Sequence, residues 1–573
     1  MDKSRLLKIA RKEEAADLVF KNGRIISVFD GRIEEGDLAI ADGRIIGIGD
    51  YVGVEQIDLQ GKFIAPGFID GHVHIESSML TPSEFAKIVM PRGTTSVVAD
   101  PHEIANVAGV KGIRYMIESA KTVPLDVFIM VPSCVPATLF ETSGAAITAS
   151  DIASLKSEAS VLGLGEVMNY PDVIHGDPSV LEKIASMEPK TIDGHAPSVS
   201  GIDLNAYALA GIHTDHECTT KEELEERIKR GMYVHLREGS ATRNVTELLK
   251  GITGSNYHRL IFCTDDKHPE DIRKEGHINY NVNLVIEAGI SPMVAIQMAT
   301  INTAQCYGLK HYGAIAPGYV ADLVVFEDLT DIEPVLVYKK GKLVAKNQKA
   351  LFEAAPIKKD VLEKSVHINT DKVSFDLPLK SPDVRVIGLI ENNVTTTELI
   401  ETVLVVDGKY VHNPEKDLLK FAVIERHHAS GNMGLALVKG YGLKGGAVAM
   451  TIAHDSHNLM ILGDDDSDMR IAMDKIIEIG GGIVVVKEHQ VADYLELEVG
   501  GIMTAKGAKF VEQKLNAMEA TIRKMGVNHK IDDPFLSLAF LSLPVIPDLK
   551  CTDLGLFDVV RFKRVPIEKE SGD

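Results

Sequence analysis

Eight short apolar runs between Phe63 and Leu309 each end in a polar cluster, and most are followed by a helical pattern. They read FIAPGFIDGHVHIE, TTSVVADPHE, LDVFIMVPSC, VLGLGEVM, TIDGHAP, GIHTDHE, YVHLREGS and RLIFCTDD. Strand–helix alternation repeated eight times over roughly 250 residues is the pattern of parallel strands closing into a (β/α)8 barrel. Such barrels keep their chemistry at the C-terminal tips of the strands. The residues that close each run therefore matter most.

The flanks have a different rhythm. The charged stretch from Lys3 to Ala16 is expected to be helical. After it, DLVFKNGRIISVFDGRIEEGDLAIADGRIIGIG is a set of apolar runs broken by NG, DG and EG, the mark of hairpins. Hairpin rhythm returns after the barrel in GAIAPGYVADLVVFED and PVLVYKKGKLVAKN. Residues 1–65 and 310–355 are thus expected to form one small β-sandwich around a barrel at 66–309. Residues 360–573 mix short strands, a helix over Asp466–Ile479 and glycine-rich turns, and are expected to make a C-terminal α+β domain. The fold class is α/β.

Charge narrows the partners. With 61 basic and 82 acidic residues the net charge is −21, whereas a phosphate-binding footprint is basic. Neither nucleic acid nor an anionic membrane is expected. No apolar stretch is long enough to span a bilayer, and the charged N-terminus lacks an apolar signal core, so a cytoplasmic location is expected. Five scattered cysteines without a CxxC pair suggest neither a disulfide framework nor a cysteine zinc site. A homo-oligomer, dimer or tetramer, is expected for a chain of this size.

Side chains two apart on a strand share a face, so His72 and His74 at the end of the first run can reach one metal ion together. That pair is a weak signal alone, because histidines are common in solvated turns. The other tips strengthen it: Glu166 closes the fourth run, His195 the fifth, His216 the sixth, and Asp265 with Asp266 the eighth. Four imidazoles, Glu166 and one of the two aspartates, converging from different strands, suit a pair of divalent metals.

These motifs resemble the amidohydrolase superfamily. The finer set HVHIESSML, ADPHEIANV, GLGEVMNYP, DGHAPSVSG, TDHECTT, LREGSATRN and FCTDDKHP is similar to the adenine deaminase family, as is ERHHASGNMGLALVKGYGLKGGAVAMTIAHDSHNL near the C-terminus. The resemblance implies hydrolysis of adenine to hypoxanthine and ammonia, in purine salvage. It also implies that His72, His74 and Asp265 hold one metal and His195 and His216 the other. Glu166 would bridge them where many members carry a carbamylated lysine. Manganese or iron is implied before zinc.

Asp265 is the candidate for moving a proton from the metal-activated water to the leaving group, with Asp266 as runner-up. His102, Glu103 and Glu217 are substrate-side candidates, although His102 and Glu103 would serve equally well as helix or loop residues. Ser77 and Ser78 are read first as helix caps, His235 as a barrel-core histidine, and Arg237 with Glu238 as an ion pair. His427, His428, His454 and His457 belong to the C-terminal part without an assigned job, beyond the expectation that this domain covers the barrel mouth. The alternative function is another amidohydrolase activity, on a cyclic amide or an N-acyl substrate.

Overall fold

The computed structural model describes residues 2–355 and 362–569. Residue 360, where the C-terminal domain is expected to begin, and the last four residues lie outside the described residues. The two hairpin segments build one nine-stranded sheet. Strand Phe63–Pro66 joins them, running parallel to Ala16–Ser27 on one side and antiparallel to Leu323–Phe326 on the other. Three strand spacings separate Ala16–Ser27 from Leu336–Lys339, roughly 14 Å on a flat sheet. The Phe20 and Tyr338 rings nevertheless meet edge to face at 4.8 Å. The sheet therefore curls over one core, which includes Leu18, Ile25, Leu38, Ile64, Leu323 and Val325.

The opening helix spans Lys3–Ala10 and does not run on to Ala16. Ala16 instead starts the first sheet strand and pairs with Gly53, while the Tyr51 hydroxyl donates to the Ala10 carbonyl. Sheet pairing here outweighs the helical propensity of the alanine- and glutamate-rich stretch in between.

All eight barrel strands form: Phe68–Val73, Thr94–Ala99, Asp126–Val131, Val161–Val167, Thr191–Gly194, Thr214–Asp215, Tyr233–Arg237 and Leu260–Cys263. The first five make one parallel sheet and the last three another. Two seams join them. At one, the His213 amide donates to the Ile192 carbonyl at 2.9 Å. At the other, the Asp265 amide donates to His72 and the His74 amide donates to Asp265, each at 3.0 Å. The second seam is made by the very residues singled out as metal ligands.

The C-terminal part is an eight-stranded sheet, antiparallel except where Asp383–Leu389 runs parallel to Met433–Lys439. The helix expected over Asp466–Ile479 forms over those residues, capped by the Asp465 side chain, and buries Met469, Met473 and Ile476 against one sheet face. The opposite face does not end at a domain surface. Phe421, Val423, Val485 and Val499 share a buried cluster with Val73 and Ile104 of the barrel. No helix among the described residues is long and apolar enough to cross a membrane.

Lys339 ties the curled sheet to the barrel. Its buried ammonium lies 2.7 Å from both Asp126, at the start of strand three, and Asp322, and donates to the Thr95 carbonyl at 2.8 Å. Removing it takes the buried cation from both carboxylates, leaving Asp126 the exposed Lys340 ammonium at 3.3 Å and Asp322 only the Lys340 amide at 2.9 Å. Lys339→Ala is expected to lower stability by about 3–5 kcal/mol in chemical denaturation. The neighbouring exposed Lys340→Ala should change it by less than about 0.5 kcal/mol.

Candidate metal centre

Strand one ends with its alternate side chains turned inward, so His72 and His74 stand together, their Nε2 atoms 3.2 Å apart. The His74 Nδ1 donates to the Asp100 carbonyl at 2.8 Å, which turns its Nε2 towards the centre. Glu166 enters from strand four. Its backbone amide is held by Asp100 Oδ2 at 2.9 Å, an approach that needs Gly165 beside it, since a Cβ there would lie 2.2 Å from the same oxygen.

The donors fall into two groups that share Glu166. Oε1 lies 3.2 Å from His74 Nε2 and 3.9 Å from His72 Nε2. Asp265 Oδ1 completes that group at 3.1 Å from His74 and 3.5 Å from His72. Oε2 lies 2.9 Å from His195 Nδ1 and 3.2 Å from His216 Nε2, and those two nitrogens are 3.3 Å apart. Ligands at roughly 2.0–2.2 Å from one ion stand roughly 3.0–3.5 Å from each other in tetrahedral or octahedral geometry. Both groups match that spacing closely, with the His72–Glu166 edge the longest. The donor set of imidazoles and carboxylates suits divalent transition metals.

The electrostatics point the same way. Burial alone would raise the Glu166 carboxyl, but the hydrogen bonds from His102, His195, His216 and His74 outweigh it and hold the group well below the usual carboxylate range. Asp265 behaves alike: burial opposes ionisation, and Arg237 with His72 and His74 overcomes it. Burial and the neighbouring His216 push His72 down to about 4, so its imidazole is neutral and ready to donate a lone pair. Two ionised carboxylates sealed from water require positive charge close by, and in the chain alone Arg237 and the imidazoles of His74 and His216, raised well above the usual histidine value despite burial, supply it.

The strand-end aspartates both lie within reach of His74 but differ in their other partners. Asp265 takes a left-handed backbone, φ 58°, which turns its carboxylate to the histidines. Its other oxygen receives Arg237 Nη1 at 2.7 Å, and the same nitrogen is 2.5 Å from Glu217 Oε1. Asp266 instead accepts a hydrogen bond from the Ser77 hydroxyl. Ser77 and Ser78 therefore do not cap the helix Pro82–Val89, whose N-cap is Thr81; they lie in a short 3-10 turn. His235 is fully buried beside the Tyr307 hydroxyl, 3.4 Å away.

The three substrate-side candidates differ in what holds them. Glu217 Oε1 lies 3.3 Å from His216 and 3.6 Å from His195. His102 Nδ1 is 3.2 Å from Glu166 Oε1. Glu103 is taken up by the C-terminal domain: His454 Nδ1 is 2.6 Å from one oxygen, and His457 Nε2 contacts the other. Reading from sequence passed over Asp100 and the pair Asp215–Arg227. Asp100 closes its apolar run as the ligands close theirs, which was the available signal. Asp215 Oδ1 accepts from the amides of Ala196 and Glu217 at 3.3 and 3.0 Å, and Oδ2 receives the buried Arg227 at 2.9 Å. It thereby fixes the backbone just beyond both His195 and His216.

Comparison with known proteins gives the family. Residues 63–344 match the profile of the amidohydrolase family, and residues 393–563 match the adenine deaminase C-terminal domain. Adenine deaminase 2 of Carboxydothermus hydrogenoformans is 48% identical, covering 98% of this chain and 99% of its own. The adenine deaminase of Clostridium acetobutylicum is 49% identical over 96% and 97%. That of Geobacillus kaustophilus is 46% identical over 98% of each.

Asp215→Ala is expected to weaken binding at the His195–His216 group by about 10–100-fold and to spare the His72–His74 group. Titration against a competing chelator reads this as loss of one of two binding steps.

Proposed function

The chain belongs to the adenine deaminase family of amidohydrolases, and from that premise we propose that its reaction runs at a binuclear centre bridged by Glu166. The reaction itself is hydrolytic deamination of adenine. Its products on this reading are hypoxanthine and ammonia, a step suited to purine salvage. The observation in support is the single buried carboxylate that offers one oxygen to each histidine group.

His72, His74, Asp265 and Glu166 would hold one ion, and Glu166, His195 and His216 the other; manganese or ferrous iron is favoured over zinc. When bound, the pair supplies Lewis acidity and a water whose pKa falls to near neutrality. The chain's own groups do the rest. Asp265 accepts a proton from the attacking water and passes it to the departing amino group. Arg237, fastened to the outer oxygen of Asp265, keeps that carboxylate in one orientation throughout.

Attack at C6 of adenine moves electron density to N1, where a proton must be managed. The open side of the site is marked by His195 and Glu217, whose side chains keep 21% and 15% exposure, while His72, His74, Glu166 and Asp265 are buried. Adenine would enter there, with Glu217 facing N1 and His102 orienting the ring from beside Glu166. We place the enzyme in the cytoplasm as a homo-oligomer whose only partners in the reaction are adenine and water.

The purified protein loaded with manganese or ferrous iron is expected to convert adenine to equimolar hypoxanthine and ammonia, and chelation should abolish the conversion. Asp265→Asn should lower kcat about 10²–10⁴-fold, the range for loss of a general acid–base group. Two bound ions without ammonia release would refute adenine as the substrate.

A further inference from the structure

The metal ligands all come from the barrel, yet a chain of polar contacts leads from their shared carboxylate into the C-terminal domain. Glu166 Oε1 lies 3.2 Å from His102 Nδ1. His102 Nε2 lies 3.3 Å from Glu103 Oε1. That oxygen meets His454 Nδ1 at 2.6 Å, and the second Glu103 oxygen meets His457 Nε2. Glu103 is almost wholly buried and its carboxyl lacks other side-chain partners than these histidines and His102 among the contacts described.

The two C-terminal histidines are themselves fixed. The His454 ring stacks on Phe540, centroids 4.5 Å apart and 10° from parallel. His457 Nδ1 accepts from the Ala453 amide at 3.1 Å, which leaves its Nε2 to face Glu103. A buried carboxylate gripped at both oxygens has one orientation. Residues 102 and 103 open the helix His102–Ala108, whose N-cap Pro101 offers no side-chain cap; Glu76 accepts from the Ile104 amide at 3.2 Å, and the histidine grip on Glu103 is a second anchor of the helix start.

We propose that His454 and His457 are positioning residues for the deamination: by clasping Glu103 they hold His102 against the bridging carboxylate. The proposal rests on the binuclear reading above. The C-terminal domain then serves as part of the active-site scaffold, acting across the domain boundary through one carboxylate. Without the clasp, Glu103 loses its orientation, and His102 loses the fixed partner that turns its ring.

The test uses full-length protein and compares kcat, KM, metal content and thermal midpoint. His457→Ala, and His454→Phe, which keeps a ring to stack on Phe540, are expected to lower kcat about 10–100-fold. KM should stay within about threefold and two ions per chain should be retained. His454→Asn and His457→Gln, which replace the relevant N–H with an amide N–H, should recover most of kcat. His428→Ala removes a contact between the same domain and the Ser143 carbonyl of the barrel, 3.0 Å long, and should leave kcat unchanged. Wild-type kcat in His454→Phe and His457→Ala would overturn the proposal. So would a fall in kcat matched by His428→Ala at the same loss of thermal midpoint, or one explained by lost ions. Failure of the underlying reading looks different: the unmodified protein would bind fewer than two ions or leave adenine intact.

Discussion

The centre depends on a single carboxylate that is buried, ionised and shared. Glu166 lies between two sets of imidazoles, and its two oxygens are divided between them. An isolated charge in that position would be strongly disfavoured, so every neighbour has to be positioned to compensate it. Gly165 clears the space, Asp100 holds the backbone amide, and histidines from strands one, five and six converge on the carboxylate itself. The seam that closes the barrel also passes through His72, His74 and Asp265. Closing the barrel and placing three of the candidate ligands therefore use the same contacts.

Around that carboxylate, further charges set orientation. Arg237 joins Asp265, within the histidine groups, to Glu217, which faces the open side. Arg227 and Asp215 hold the backbone beyond strands five and six. Such supporting pairs give ligand geometry its rigidity. The C-terminal domain joins the same network through Glu103, and it buries its sheet face in the barrel's own core. Polar and apolar contacts thus agree in making that domain part of the barrel mouth.

Much of this was legible in the sequence because strand periodicity is short-range. The eight barrel strands and the inward pairing of His72 with His74 follow from local alternation, and strand ends locate Glu166, His195 and His216. The different partners of Asp265 and Asp266 go with a left-handed residue at the strand end, which two adjacent aspartates do not reveal. The partners of Glu103 lie 351 and 354 residues away, so no local pattern could connect them. The opening helix was expected to run too far for a related reason: Ala16 is claimed by a sheet partner at Gly53. Where an outcome depended on a distant partner, composition and periodicity carried no signal.

The central claim is that Glu166 joins two ions into one unit. Electron paramagnetic resonance of the manganese-loaded protein tests it most directly, because ions linked by a shared carboxylate are magnetically coupled. The account predicts the spectrum of an exchange-coupled pair, replaced in Glu166→Gln by uncoupled or single-ion signals. Isolated manganese signals in the unmodified, fully loaded protein would contradict it.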